Sequence, residues 1–370
     1  MKYYIIAGEA SGDLHGANLM NALCQEDPKA DIRFWGGDLM QATGGTLVKH
    51  YKDLAFMGFI EVLFNLKTIL NNISIAKKDI LEFQPDVIVF IDYPGFNLRI
   101  AKWAKNLGIK THYYISPQIW AWKENRITDI KRDVDKMYVI LPFEKDFYEN
   151  KHHYPVNFVG HPLIDAIHNQ PQVDGAIFRK ENHLNDQPII AILPGSRKQE
   201  ITKMLSLMLS IVHDFPDYQF VIAGAPSQEF SFYEKFITNN NIKFISNKTY
   251  SLLQIATAAL VTSGTATLET ALFKVPEVVC YKGSWASYQI AKRIITLKYI
   301  SLVNLIMDQE VVTELIQDDC TTQRIKEELT KILEGDQRAK LLAQYDQLEQ
   351  KLGGKGASQK TAQLIVADLK

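Results

Sequence analysis

The sequence predicts an α/β protein of two facing doubly wound, Rossmann-like domains with a helical C-terminal tail. Short apolar runs alternate with helical patterns in both halves of the chain, which is typical of parallel sheets covered by helices on both faces. At 370 residues the chain exceeds one ordinary hydrophobic core, which favours two domains. We expect domains at residues 1–168 and 187–335, joined by a polar linker at 169–186. The tail at 336–370 then packs on the first domain or on a partner subunit of a homodimer.

The predicted strands are short apolar segments bounded by turn residues. In the first half they are Lys2–Ala7, Ile32–Trp35, Val87–Ile91, Lys110–Ile115 and Met137–Leu141. In the second half they are Pro188–Leu193, Gln219–Ala223, Ile242–Ile245, Ala258–Thr262 and Glu277–Tyr281. In open α/β sheets, ligands bind beyond the carboxyl ends of the strands, so the turns that follow strands are the places to look for a site.

The composition is that of a soluble globular protein, with 46% hydrophobic and 22% charged residues. A net charge of -1 provides no general attraction for nucleic acid, so no nucleic-acid partner is expected. The three cysteines are far apart and show no metal-ligand spacing, which indicates a reducing compartment without a disulfide framework. The first residues are too few for a signal sequence, and no run of about twenty apolar residues could span a membrane.

One strand-to-helix turn is typical of an anion site. The strand Ala258–Thr262 leads through Ser263, Gly264 and Thr265 into a helical pattern. Backbone N–H groups at such a helix start have no partner within the helix, and with the helix dipole they suit a phosphate or diphosphate. Glu269 lies one turn further, where its carboxylate can accept hydrogen bonds from a ribose. The alternative is an ordinary capped helix with an acidic residue in its first turn.

A second turn of this kind opens the C-terminal half. Ser196 and Arg197 follow the strand Pro188–Leu193 and precede a helical pattern. An arginine at a helix start adds charge-assisted donors for a diphosphate. The alternative is a capping box, since the spacing from Ser196 to Glu200 is close to that of the motif.

Two turns in the N-terminal half carry candidate catalytic residues. The segment Gly8–Asp13 follows the first strand, and Ser11 within it could hold a sugar or phosphate at the helix start. Asp92 ends the strand Val87–Ile91, where partial burial can raise the pKa of a carboxyl group toward that of a general base. Pro94 would fix the turn that aims it. The alternatives are a glycine turn with a helix cap for the first segment and a helix-capping role for Asp92.

Two further patterns are less specific. Trp120 and Trp122 precede Arg126, so they could contact a phosphorylated sugar or a lipid interface, or else pack in the core. The pair Asp133 and Asp135 has the D-x-D form of metal-dependent sugar transferases. Because the pair precedes a strand rather than following one, we interpret it as surface charge, and we expect no metal and no cofactor.

Taken together, these motifs resemble those of one family over nearly the whole chain, from Ala7 to about Cys320. The chain is similar to the lipid-A-disaccharide synthase family, which are membrane-associated glycosyltransferases of the B-type fold. The matching groups are Gly8–Asp13, Met57–Val62, Ile91-Asp92 with Phe96-Asn97, Ser116-Pro117 with Trp120–Trp122, Leu141–Glu144, Gly160-His161, Leu193–Arg197, Ser263–Glu269, and Ala291–Arg293 with Tyr299–Leu302.

The resemblance implies a reaction and assigns residues to it. The reaction moves 2,3-diacylglucosamine from its UDP ester to the 6-hydroxyl of 2,3-diacylglucosamine 1-phosphate, with inversion and release of UDP. Asp92 would be the base, with Glu9 as a second catalytic candidate. The residues implied for UDP-sugar binding are Ser196, Arg197, Ser263, Gly264, Thr265 and Glu269. Those implied for the acceptor or lipid are Ser11, Met57, Phe59, Ile60, Trp120, Trp122, Arg126 and Asn304.

This chain departs from the family pattern at three positions. Gly95 stands where an acidic residue is frequent, Val303 replaces a proline, and Glu277 occupies a position where an apolar residue is common. None of these departures falls in the expected phosphate-binding turns. With Gly95, Asp92 would act without a second carboxylate beside it, and with Val303 the loop Ser301–Asn304 would be less rigid than in the family.

Both implied substrates carry acyl chains, so we expect the protein to act on the inner face of the cytoplasmic membrane as a peripheral protein. The amphipathic stretch Leu54–Leu70 is the candidate contact, or else a helix packed in the core. Two other UDP-sugar enzymes stay open as alternatives: a peptidoglycan N-acetylglucosaminyl transferase and a UDP-sugar epimerase. A hinge-closing ligand-binding protein is a third.

Overall fold

The computed structural model describes residues 1–54, 66–225, 228–283 and 298–370. Its internal contacts divide the chain into two compact units. The first unit consists of residues 1–166 and 352–370, and the second of residues 167–351.

The first unit is built on a parallel sheet with the strand order β3-β2-β1-β4-β5-β6-β7 within the described residues. The strands are β1 Lys2–Ala7, β2 Asp31–Gly36, β3 Thr46–His50, β4 Val87–Ile91, β5 Lys110–Tyr114, β6 Lys136–Val139 and β7 Asn157–Phe158. The helices are α1 Ala10–Glu26, α2 Asp38–Thr43, α3 Leu66–Phe83, α4 Pro94–Asn106, α5 Ile127–Asp133, α6 Pro142–Asp146 and α7 Pro162–His168. All five residues of β4 are buried, as expected for a central strand covered on both faces.

The second unit holds another parallel sheet, with the order β10-β9-β8-β11-β12-β13 within the described residues. The strands are β8 Ile189–Leu193, β9 Gln219–Gly224, β10 Ile242–Ser246, β11 Ala258–Thr262, β12 Glu277–Tyr281 and β13 Thr313–Ile316. The helices are α8 Gly175–Glu181, α9 Lys198–Leu209, α10 Phe230–Glu234, α11 Thr249–Leu253, α12 Thr265–Leu272, α13 Leu302–Met307, α14 Thr322–Leu333 and α15 Gly335–Lys351. The prediction of two parallel, doubly wound α/β sheets is confirmed.

The final helix, α16 Ala357–Leu369, belongs to the first unit and packs on α1. The Asp165 carboxylate accepts hydrogen bonds from the backbone N–H groups of Gly356 and Ser358, which ties the start of α16 to α7. Residues 336–370 are therefore divided between the units after Lys351. The segment 169–186 lies in the second unit and contains α8, whose Phe178 is buried in a hydrophobic cluster of that unit.

Two general features bear on membranes and metals. None of the described helices is long and apolar enough to cross a membrane. Within the same described residues, no group of three or more His, Cys, Asp and Glu side chains is placed to hold a metal ion.

Candidate functional site

The carboxyl ends of β1 and β4 bring the Gly8–Ser11 turn next to Asp92. The two strands are paired in parallel, with Ala7 opposite Ile91. A Cβ atom on Gly8 would lie 2.4 Å from the ring of Tyr93, so only glycine leaves room for this ring. The Gly8–Ser11 turn and Asp92 therefore lie together at the carboxyl ends of two central strands of the first sheet.

The backbone at Asp92 is held in an unusual conformation. Asp92 and Tyr93 both have positive φ angles, 45° and 49°, which cost non-glycine residues roughly 1–3 kcal/mol each. The Asp92 carbonyl accepts hydrogen bonds from Asn97 Nδ2 at 2.7 Å and from the Tyr113 hydroxyl at 2.5 Å. Pro94 then begins α4. Two side chains thus hold the strained turn that presents Asp92.

The pKa of Asp92 is raised to about 6, first by burial and second by the charge of Glu9. The side chain of Glu9 is exposed, and it is close enough to disfavour a second negative charge. A carboxyl group with this pKa is mostly ionised at neutral pH and still a useful proton acceptor. The helix-cap alternative for Asp92 has no support, because Tyr93 occupies the N-cap position of α4.

In the segment Gly8–Asp13, some side chains are exposed and one is buried. Ser11 is exposed in the first turn of α1. Asp13 is 3% exposed, and its carboxylate accepts backbone N–H groups of Gly37, Leu39 and Met40 at the start of α2. Glu9 and Ser11 are therefore free to face solvent or a ligand, whereas Asp13 stabilises the fold.

The aromatic pair divides in the same way. Trp120 is partly buried, donates from Nε1 to the buried Glu144 at 3.2 Å, and packs edge-on against Phe143. Trp122 is 50% exposed, and the Lys123 ammonium lies 4.1 Å from its ring centroid. The packed ring of Trp120 fits the core alternative, whereas the ring of Trp122 is open to solvent and its contact with a sugar or lipid stays a prediction.

The charge of Arg126 acts on the Tyr113 hydroxyl. Burial raises the pKa of the Tyr113 hydroxyl, which donates to the Asp92 carbonyl, and the positive charge of Arg126 partly counters the rise. Met57, Phe59 and Ile60, with most of the stretch Leu54–Leu70, lie outside the described residues.

The interpretation of Asp133 and Asp135 as surface charge was wrong for Asp133. Asp133 is 2% exposed and its carboxylate accepts a 2.7 Å hydrogen bond from Arg132 Nε. Asp135 accepts from the backbone N–H and the hydroxyl of Thr111. Both carboxylates accept hydrogen bonds within the first unit, and the helix-end position did not reveal that Asp133 is buried.

In the second unit, the two predicted anion turns follow adjacent strands. β8 and β11 pair in parallel, so Ser196 and Arg197 lie at the carboxyl ends of the strands, as do Ser263 and Gly264. Arg197 is exposed and is the N-cap residue of α9. The structure therefore brings the residues predicted for UDP together.

The turn at Ser196 also shows the alternative contact. The Glu200 carboxylate accepts a 3.3 Å hydrogen bond from the Ser196 N–H. It lies so close to Gly195 that a Cβ there would be 2.2 Å from Glu200 Oε2. An incoming phosphate group has to compete with this carboxylate for the backbone donors of the turn.

The turn at Gly264 is open. A Cβ atom on Gly264 would meet nothing within 4 Å among the described residues, and Gly264 and Thr265 are exposed at the start of α12. The Ser263 hydroxyl donates to the Ile300 carbonyl at 3.0 Å, and Thr267 closes the first turn through the Gly264 carbonyl. Among the described residues, the start of α12 is therefore open at Gly264, and its role as an anion site stays a prediction.

Glu269 has a partner that sequence reasoning missed. Its Oε1 accepts a 2.7 Å hydrogen bond from the hydroxyl of Tyr250, which lies in α11, the helix that follows β10. Burial raises the pKa of Glu269 and the Tyr250 hydrogen bond opposes the rise. The position of Tyr250 after a strand was the available signal.

Asn304 is buried and its amide is fully engaged by the chain. Nδ2 donates to the Val312 carbonyl and to Glu314, while Oδ1 accepts the N–H groups of Val311 and Val312. Glu314 also accepts the backbone N–H of Ile300, whose carbonyl receives the Ser263 hydroxyl. Asn304 therefore acts on the Ser263 turn through Glu314, a residue that the sequence did not single out.

Comparisons with known proteins agree with this geometry. Residues 3–367 match the family model described as lipid-A-disaccharide synthetase. Lipid-A-disaccharide synthase of Idiomarina loihiensis is 39% identical over 375 residues, covering 98% of this chain and 97% of the relative. The enzyme of the same name from Coxiella burnetii (strain CbuG_Q212) is 39% identical over 367 residues, covering 98% and 96%.

Solved structures share the fold at low sequence identity. The S. aureus MnaA–UDP structure is 14% identical with a TM-score of 0.72, covering 100% of this chain and 97% of that one. The calicheamicin glycosyltransferase CalG4 is 14% identical with a TM-score of 0.62, covering 100% and 98%. Since the family model and the relatives span nearly the whole sequence, the chain belongs to the lipid-A-disaccharide synthetase family of glycosyltransferases.

Proposed function

We propose that the protein transfers 2,3-diacylglucosamine from its UDP ester to the 6-hydroxyl of 2,3-diacylglucosamine 1-phosphate. The products are the lipid A disaccharide 1-phosphate and UDP. The observation that carries the chemical part is the half-buried Asp92, held by Asn97 and Tyr113 with a pKa near 6. A carboxylate so placed suits removal of a proton from an attacking hydroxyl.

The proposed step is a single displacement with inversion. Asp92 takes the proton of the acceptor hydroxyl as its oxygen bonds to the anomeric carbon, and the bond to the UDP oxygen breaks. Glu9 lies near Asp92 and keeps the pKa of Asp92 high, so that the ionised base remains reactive. Ser11, exposed beside them, and Arg126 are proposed to bind the acceptor.

The second unit is proposed to bind the UDP part. The backbone donors at Ser263, Gly264 and Thr265, with the dipole of α12, suit the diphosphate, and Arg197 adds a guanidinium. Ser196 contributes its N–H if Glu200 yields it. Glu269, supported by Tyr250, is proposed to accept the ribose hydroxyls. These donors can stabilise the negative charge that develops on the departing UDP.

The acyl chains determine where the reaction takes place. Each buried CH₂ group contributes about 0.8 kcal/mol, so moving a chain of about ten carbons into water costs roughly 8 kcal/mol. We therefore propose peripheral association with the inner face of the cytoplasmic membrane. The exposed Trp122 with Lys123 is the described pair with an interfacial character, since an aromatic ring and a cation favour the headgroup region. Trp120 supports this segment through Glu144.

One reaction tests the proposal directly. The purified protein is mixed in detergent with both acylated sugars, and the products are analysed by mass spectrometry. We expect the disaccharide 1-phosphate in amounts equal to the UDP released. Efficient conversion of UDP-N-acetylglucosamine without acyl chains would favour an epimerase or a peptidoglycan N-acetylglucosaminyl transferase instead. Closure around ligand without any product would favour a binding protein.

A further inference from the structure

A cavity in the second unit lies away from the proposed nucleotide site. Its volume is about 150 Å³, and its lining includes Glu277 at the start of β12 and Thr313 at the start of β13. Both are at the amino ends of strands, whereas Gly264 follows the carboxyl end of β11. Because the strands are parallel, the cavity lies at the amino ends of the strands and the Gly264 turn lies at their carboxyl ends. The cavity is thus separate from the residues proposed to bind UDP.

Glu277 is the unusual residue of this cavity. It is 1% exposed, and neither of its carboxylate oxygens has a hydrogen-bond partner among the residues that the structure describes. A buried polar group without a hydrogen-bond partner destabilises the folded state, and a charged one does so more strongly. Burial raises the pKa of Glu277 well above its usual range, so this group is a neutral acid unless a cation approaches it.

No charged group in the described part of the chain forms an ion pair with Glu277. Glu328 is also buried, but it already accepts hydrogen bonds from Lys331 and Thr313 and pairs with Arg324. Glu310 and Lys340 line the cavity and are exposed to solvent, where salt screens their charges. Tyr345 of α15 lies near the Glu277 carboxyl group. Burial raises the pKa of the Tyr345 hydroxyl, and the charge of Glu277 adds to this rise.

The rest of the lining is mixed, with Gln337 and Gln344 beside an apolar part that suits a short alkyl chain. Val312 and Leu341 are 1% and 5% exposed, and Ile332 lies on α14 beside them. The acidic groups are spread around the cavity rather than gathered at one point, and the described residues contain no cluster able to hold a metal ion. A ligand that carries both N–H donors and methylene groups matches this distribution.

We propose that this cavity binds a short primary alkylammonium ion, with its NH₃⁺ group on Glu277 and its methylene groups against Val312, Ile332 and Leu341. On binding, the Glu277 carboxyl group releases its proton to solvent and the resulting carboxylate pairs with the ammonium. The charge balances, because one proton leaves for each cation bound. Binding of this ion at the cavity does not depend on the proposed transferase activity.

Calorimetry on the full chain tests the proposal with n-butylammonium chloride as the probe. We expect saturable binding with release of about one proton, measured from the heats in two buffers of different ionisation enthalpy. Tetramethylammonium, which carries the charge but no N–H donor, is expected to bind at least about tenfold more weakly, the scale of a lost charge-assisted hydrogen bond. Equal binding of potassium or of tetramethylammonium would contradict the proposal.

The matched variants are Glu277→Gln and Glu310→Gln. Glutamine mimics the neutral acid, so Glu277→Gln should fold, and it should lose both at least about tenfold in affinity and the proton release. Glu310→Gln removes an exposed charge at the same cavity and should change affinity by less than about threefold. If Glu277→Gln does not fold, the proton release of the unmodified protein decides the question. Absence of binding, or binding without proton release, overturns the proposal.

Discussion

The Tyr250 hydroxyl donates a 2.7 Å hydrogen bond to Glu269 Oε1, and so connects α11 to α12. Burial raises the pKa of Glu269, and this bond favours its ionised form. A ribose hydroxyl donates more strongly to a carboxylate than to a neutral acid. Tyr250 is therefore a positioning residue for the proposed ribose contact.

Replacement of this hydroxyl should weaken nucleotide binding. In Tyr250→Phe, Glu269 loses a donor and its pKa rises further, so a larger fraction is protonated at a given pH. We expect UDP affinity to fall roughly 2–10-fold, the range of one net hydrogen bond of about 0.5–1.5 kcal/mol. The loss should become smaller as the pH rises. Calorimetry with UDP over a pH series measures both effects.

Tyr218→Phe is the matched control for this variant. Tyr218 is partly buried at the start of β9 and is not among the groups that shift Glu269. Its replacement should leave UDP affinity unchanged. A pH-independent loss in Tyr250→Phe would mean that the tyrosine only packs against the helix, and the positioning role would be withdrawn.

The role of Asp92 as base predicts a separation of turnover from nucleotide binding. Asp92→Asn keeps the shape of the side chain and removes its basicity, so kcat should fall by roughly 10²–10⁴-fold. UDP binding, which we assign to the second unit, should stay unchanged. Steady-state kinetics and calorimetry provide the two measurements, and near-normal turnover would remove Asp92 from the mechanism.

Asp13→Asn is a useful comparison, because its effect should be the reverse. The Asp13 carboxylate accepts three backbone N–H groups at the start of α2, so its replacement should lower the free energy of unfolding. We expect about 1–2 kcal/mol from denaturant titration, within the range for a lost cap. Turnover of the folded fraction should remain close to that of the unmodified protein.

The pH dependence of the reaction should report the pKa of Asp92. A base with a pKa of about 6 must be ionised to act, so kcat/KM should fall on the acid side with an apparent pKa near that value. The negative charge of Glu9 raises this pKa, so Glu9→Gln should move the acid limb to lower pH. The shift should be a fraction of a pH unit, because burial is the larger cause. A shift to higher pH would contradict the assignment.

The sequence predicted the central strands and the edge strand β10, and missed the other three edge strands of the two described sheets. β4 and β11 are continuous apolar runs because both of their faces are covered. The edge strands β3, Thr46–His50, and β13, Thr313–Ile316, were missed, since half-buried residues at an edge alternate with polar ones. The two-residue strand β7 is too short to leave a pattern.

The sites divide along a similar line. Turns after strands were predictable, because parallel strands align their carboxyl ends and the glycines and acidic residues are local signals. Contacts between distant segments were not. The sequence does not reveal that the amide of Asn304 is used up by residues 311–314, or that Glu277 borders a cavity. Both facts depend on how side chains pack in the folded protein, which no local motif of the sequence shows.

The two glycines at the predicted sites should respond in opposite ways to alanine. A Cβ on Gly264 meets nothing within 4 Å among the described residues, so Gly264→Ala should leave the melting temperature nearly unchanged. It should still weaken UDP binding, because the added methyl group stands where the diphosphate would approach the backbone. In Gly8→Ala the methyl group would overlap the Tyr93 ring, so the strained Asp92 turn must shift. Stability and kcat should both fall there while UDP binding persists.

Thermal unfolding, UDP calorimetry and turnover on both variants separate these effects. Unchanged UDP affinity in Gly264→Ala would show that the diphosphate does not approach this turn, and the role of Ser263 and Thr265 would fail with it. Unchanged turnover in Gly8→Ala would show that Asp92 can be displaced without loss of activity. A base that must be positioned against one hydroxyl should not tolerate such a displacement, so this result would contradict the role of Asp92. We therefore expect Gly264→Ala to lower UDP affinity and Gly8→Ala to lower stability and turnover. The two effects differ because Gly8 leaves room for the Tyr93 ring, whereas Gly264 is proposed to leave room for the substrate diphosphate.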